Sequence, residues 1–134
     1  MRLIAFLVSL MLSGSVLAQQ AVTVDKMPPV VVETFPRAGA TDVDPLLTEI
    51  RVTFSKDMMT DNMWSWVIHT KESFPEIAGN VRYVSARTNV APVRLQPGRT
   101  YAIWFNSPYG KFIGFRDTNN IPALPYLLVF STRP

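Results

Sequence analysis

Four side chains that can bind a soft metal fall within twelve residues: Met58, Met59, Met63 and His69. Thioether and imidazole donors suit Cu(I). The same residues have a plainer use, since a single histidine in the chain is a sparse ligand set and is more often a surface or hydrogen-bonded residue. Asp42, Asp44, Asp57 and Asp61 could offer oxygen donors to calcium. Their spacing lacks the rest of a calcium loop, and Asp in such corners ordinarily bonds nearby backbone N–H groups. No cofactor is therefore expected. Catalysis has little to work with. G-x-S-x-G, H-E-x-x-H and glycine-rich phosphate loops are absent, and His69 is the only side chain with an ordinary pKa near neutrality. Glu33, Glu49, Glu72 and Glu76 could pair as glycosidase carboxylates, but Glu49 sits on an alternating polar face. The expectation is a protein that is not an enzyme.

Aromatic residues are the better binding candidates. Trp64 and Trp66 lie two apart and share a face if the segment is a strand. Trp104 has the opposite parity to Tyr101, Ile103 and Phe105, which places it outward. Tyr109, Phe112 and Phe115 crowd the loop 106–120. Exposed together, Trp64, Trp66, Trp104, Tyr109, Phe112 and Phe115 would form a platform for a polysaccharide or an envelope protein. Folded inward, they would be core. The densest basic set, Arg82, Arg87, Arg94 and Arg99, has no aromatic interleaving and reads as solvated strand faces, so no nucleic-acid partner is expected.

The elements that must position these residues have period two. Ile50, Val52 and Phe54 alternate with Glu49, Arg51 and Thr53, a half-buried strand. Val30–Thr34, Trp64–Ile68, Val81–Tyr83, Val90–Leu95, Tyr101–Phe105 and Tyr126–Thr132 are the other candidates. The last is apolar on both parities and should be internal or covered. Gly39, Asp42, Asp44 and Pro45 shape a first corner, and Pro97-Gly98 a later turn. Leu95-Gln96-Pro97-Gly98-Arg99-Thr100-Tyr101 fits a tyrosine corner. Eleven prolines oppose long helices. The pattern predicts an all-β, Ig-like antiparallel sandwich of about seven strands.

Residues 1–18 read as a signal peptide: Arg2, an apolar run from Leu3 to Leu12 too short to span a bilayer, and cleavage after Ala18. Residues 19–28 form a flexible lead-in, and 29–134 one domain. The chain has no cysteine, so neither a lipobox nor a disulfide is available and the core must hold the fold alone. The location implied is secreted or periplasmic, with no transmembrane segment after cleavage.

Three stretches carry a family resemblance. They are Pro36-Arg37-Ala38-Gly39-Ala40-Thr41-Asp42-Val43-Asp44-Pro45, the strand Ile50 to Met58, and the closing Phe115-Arg116-Asp117-Thr118-Asn119-Asn120-Ile121-Pro122 with Phe130-Ser131-Thr132. Together they resemble bacterial Ig-like domains of the SbsA type over about residues 29–134. The chain departs at Asn119-Asn120, where the family has Gly-Asn. The resemblance implies an Ig-like fold, a structural role for Asp117, a core position for Met58, and a non-catalytic structural or binding module at the cell envelope. A weaker similarity to CopC-type carriers, which share a similar S-x-P-A-x-G start and L-x-F-S strand, implies a small periplasmic copper carrier instead. A carbohydrate-binding module is the third alternative.

Overall fold

A computed structural model describes Gly14 and residues 21–134. The segment expected to be a signal peptide lies, Gly14 apart, outside the described residues. Two antiparallel sheets face one another. The first contains β1 (Val31–Phe35), β2 (Glu49–Phe54), β4 (Glu76–Ile77), β5 (Arg82–Tyr83) and β6 (Thr88–Arg94). Its order is β1-β2-β6, with β4 and β5 pairing successively along the far edge of β6. The second holds β3 (Trp66–Ile68), β7 (Thr100–Phe105) and β8 (Tyr126–Ser131), in the order β3-β7-β8. The described chain thus has eight strands. The one that alternation does not announce is β4, whose two residues are too few to show a period.

Each long strand turns one parity inward. Ile50, Val52 and Phe54 of β2 meet Ile103 and Phe105 of β7 and Leu128 and Phe130 of β8, all buried. The rings interlock: Phe105 meets Trp66 edge to face at 4.8 Å and Phe115 edge to face at 6.0 Å, and Phe54 and Phe115 lie tilted 4.9 Å apart. Such pairs add about 0.5–1.5 kcal/mol each beyond their buried area. Phe115 does not belong to the surface platform expected from the sequence; the fold buries it. It is 0% exposed and joins the two sheets through Phe54 and Phe105. The chain lowers it between the sheets because Asn106, itself buried, brackets its backbone. Asn106 Nδ2 donates to the Phe115 and Ala123 carbonyls, and its Oδ1 accepts from the Phe115 N–H. Asn106 sits at φ 61°, a left-handed geometry that asparagine tolerates better than most residues.

Three further devices shape the ends. Tyr101 receives the Gln96 N–H on its hydroxyl at 2.7 Å, tying the Pro97-Gly98 turn to β7. Asn120 takes φ 63°, which asparagine can do in a turn where the family has Gly-Asn. The lead-in is held to the sandwich from Asp25 onward. Lys56 Nζ donates to the carbonyls of Asp25 and Met27, Asn119 Nδ2 donates to Asp25, and the Leu124 N–H reaches Pro29.

The outer edge of β8 is covered by the first corner. Gly39 N–H donates to Val129, Ser131 N–H to Ala40, Val43 N–H to Ser131, and Arg133 N–H to Val43. Gly39 supplies the positive φ of 81° that this corner needs. The opposite edge of the same sheet, β3, is treated differently.

Candidate docking groove

Among the described residues β3 pairs with β7 alone. Asn106 N–H donates to the Ser65 carbonyl, which sets the phase of the ladder. With that phase Val67 exchanges hydrogen bonds with Trp104. The N–H and C=O groups of Trp66 and Ile68 therefore point away from β7. No strand among the described residues pairs with them. Beside this edge lies a groove of about 640 Å³. It is lined by Trp64, Ser65, Trp66, Val67 and Ile68 on one side, Phe74, Ile77 and Val81 on the other, and Phe112 at its rim. None of these side chains is charged.

The tryptophans form the inner wall of the groove. Trp66 stacks edge-on to Phe105 and donates its indole N–H to the buried Asn89 Oδ1 at 2.8 Å. Trp64 lies 6.4 Å from Tyr83, whose hydroxyl donates to the Met63 carbonyl. Burial pushes the Tyr83 pKa far above its ordinary value, so the phenol stays a neutral donor. Both indoles are half-buried. Phe112 is 71% exposed and adopts φ 56°, a genuine outlier for a bulky residue. Its loop is fastened on both sides. The Ser107 N–H donates to the Phe112 carbonyl, and the Gly114 N–H donates to Ser65 Oγ. A Cβ at Gly114 would stand 2.7 Å from the Trp64 carbonyl oxygen, so only glycine lets this loop lie against β3.

Trp64, Trp66 and Phe112 thus come together. Trp104 does not join them: it lies on the opposite face of its sheet, half-buried, with its indole N–H on His69 Nδ1 at 3.2 Å. Tyr109 stands exposed at the loop tip. The Met and His residues separate. Met58 is buried and bridges backbone-to-backbone with Asp117, whereas His69 is exposed beside Trp104. Among the described residues no three His, Asp or Glu side chains gather as metal ligands. Asp44 caps the Leu46 N–H and Asp57 pairs with Arg87 at 2.8 Å. The arginines are likewise engaged: Arg94 with Glu76, Arg82 with Glu49, and Arg99 with the Glu72 carbonyl.

Asp117 is the other concentrated polar centre. Its carboxylate is fully buried, with Lys56 Nζ at 2.5 Å on Oδ2 and the N–H groups of Asn119 and Ile121 on Oδ1, each at 2.9 Å. Burial alone would raise its pKa. The Lys56 hydrogen bond, the two backbone donors and the Lys56 charge together outweigh that and hold it below the ordinary carboxylate range. Every partner is internal, so this centre fastens the lead-in and the closing turn to β2.

Sequence reasoning did not single out Lys56, Asn89, Asn106 or Gly114. Lys56 alone lay within a quoted motif. The other three acquire their roles only through partners 9 to 49 residues away.

No helix among the described residues is long and apolar enough to cross a membrane. No curated protein sequence matches the chain. Solved structures that resemble it include surface layer protein SbsC, domains 1–6, at 19% identity and a TM-score of 0.49, covering 81% of this chain and 14% of that one. The N-terminal part of the bacterial S-layer protein SbsC is similar at 18% identity and a TM-score of 0.48, covering 80% of this chain and 24% of that one. The chain thus spans a small part of these proteins. A family model described as a bacterial Ig-like domain matches residues 25–132, and with the two-sheet architecture this makes the chain a member of the bacterial Ig-like domain family.

Proposed function

We propose that this domain is a non-catalytic binding or structural module of the cell envelope, exported by cleavage after Ala18. Its working surface is the groove along β3, where it takes an extended segment of protein. The observation that carries this is the unequal treatment of two edges in one sheet. The β8 edge is sealed by residues 39–43, while among the described residues nothing pairs with the Trp66 and Ile68 backbone groups of the β3 edge, which lie beside an uncharged groove. An extended peptide added there would gain backbone hydrogen bonds from the edge and side-chain burial from the groove. Both indoles are half-buried against core rings, Trp66 on Phe105 and Trp64 beside Tyr83, which favours a peptide over a sugar that would need an open ring face.

A photo-crosslinking residue placed at Ile68 tests this, with one at Trp104 on the opposite face as control. In intact envelopes, discrete protein adducts are expected from position 68 and none from position 104. Equal yields at the two positions, or none at either, would remove the groove as the working surface.

A further inference from the structure

The chemistry of the groove's occupant can be read from the edge itself, and the reading rests on the groove being the working surface. We infer that the occupant is a strand of polypeptide running antiparallel to β3, with uncharged, branched apolar side chains at two alternate positions. The hydrogen-bond phase of β3 dictates this. Trp66 and Ile68 each turn both N–H and C=O away from β7, and among the described residues nothing pairs with them. The open stretch is bounded at both ends. The Trp64 carbonyl, next in the same phase, lies against Gly114, where a Cβ would stand 2.7 Å from it. Beyond Ile68 the Ala102 N–H donates to Ser73, so the ladder with β7 stops there. In an antiparallel ladder one partner residue exchanges both bonds with Ile68, and the next but one exchanges both with Trp66. A short partner then satisfies every open group on this three-residue strand. A parallel partner makes slanted bonds, weaker per residue, and must be longer to reach the same groups.

The same phase fixes where the partner's side chains go. Residues opposite one another in an antiparallel pair place their side chains on one face. Trp66 faces inward onto Phe105, and Ile68, two residues on, shares that face. The partner's two bonded residues therefore point inward as well, toward the side of the groove lined by Phe74, Ile77 and Val81. No charged side chain lines the groove, so a Lys or Asp at either position would lose water and find no counter-charge. Ile68 and Ile77 are 56% and 37% exposed, apolar surface that two branched side chains would cover. Branched residues also suit the extended backbone. The partner's middle residue projects to the opposite face with Val67, where its chemistry is free.

The test titrates blocked peptides into the chain cleaved after Ala18. Binding is read from tryptophan emission, since Trp64 and Trp66 wall the groove. The parent peptide, acetyl-Thr-Val-Thr-Val-Thr-amide, is expected to bind with a Kd below about 1 mM, and an I68K chain to bind it at least about tenfold more weakly. Lysine in place of either valine should weaken binding about tenfold or more, and lysine in place of the middle threonine less than about twofold. N-methylation reads the direction. On either valine it removes a hydrogen bond to the Ile68 or Trp66 carbonyl and should weaken binding about threefold or more. On the middle threonine, whose N–H points away from β3, it should change little. Sensitivity at the middle threonine instead of the valines would mean a parallel partner and overturn the inference. So would an N-methyl scan without period, binding that survives I68K, or a parent peptide that fails to bind at about 1 mM. Protein adducts from position 68 in envelopes, beside a failed peptide series, would reject this occupant and leave the groove as the working surface.

Discussion

Replacing Asp117 by Asn removes one charge and almost no volume. The Asp117 side chain is 0% exposed and Lys56 only 12%. Asparagine can keep its oxygen on the N–H groups of Asn119 and Ile121, but its amide then faces the Lys56 ammonium, donor against donor. Removing one partner of a buried pair costs about 3–5 kcal/mol. Lys56 retains the carbonyls of Asp25 and Met27 and some contact with water, which places the loss near the lower end, about 3 kcal/mol. That is a large share of the roughly 5–15 kcal/mol that holds a domain of this size. Urea unfolding at pH 7 should show it as a lower midpoint at unchanged slope. The pH dependence is the sharper signature. The folded carboxyl is held below its unfolded value, so the stabilisation is complete above the unfolded pKa of about 3.9 and is lost as pH falls through the folded one. The gap between parent and D117N should be constant from pH 7 to about 5 and close below about pH 4. A gap under about 1 kcal/mol at pH 7 would refute the argument, as would one that stays constant into acid.

Two further substitutions probe what holds the loop 106–120. G114A would place a methyl group against the Trp64 carbonyl and should cost about 1–3 kcal/mol in urea unfolding, with a change in tryptophan emission as β3 shifts; a neutral result would mean that the loop does not rest on β3. N106A deletes three hydrogen bonds to buried backbone and should cost about 3 kcal/mol or more, with faster amide exchange at Phe115 and Ala123. Exchange unchanged at those two amides would show that Asn106 is not what seats Phe115.

The strands were legible because burial on one face writes alternation directly into the chain. Glu49–Phe54 and Thr100–Phe105 stand within a residue of where parity places them. The start of β3 was not legible. Trp64 and Ser65 continue the alternation, yet strand pairing begins at Trp66, and Ser65 Oγ is taken up by Gly114. Phe115 was misplaced for a related reason. It sits in a loop without period, and its burial follows from Asn106, nine residues earlier, rather than from its neighbours. The groove was half visible. Trp64, Trp66 and Phe112 were candidates, but Phe74, Ile77 and Val81 come from short segments whose only common property is position around β6.

The strongest family signature and the groove lie at opposite edges of the same three-stranded sheet, and that placement bears on function. An unpaired edge invites association, and proteins seal or shorten the edges they do not use. Here the glycine- and aspartate-rich corner is spent on sealing β8, the longer and more apolar edge strand. β3 has three residues, short enough to limit indiscriminate pairing. Even so, the chain adds to it rather than masking it. Gly114 and Asn106 hold the neighbouring loop so that Phe112, at a costly positive φ, stands at the groove rim instead of folding across it. Phe112 thus holds both a costly backbone geometry and an exposed ring, 71% open to solvent, beside Trp66. The proposed function accounts for that geometry by giving the edge an occupant.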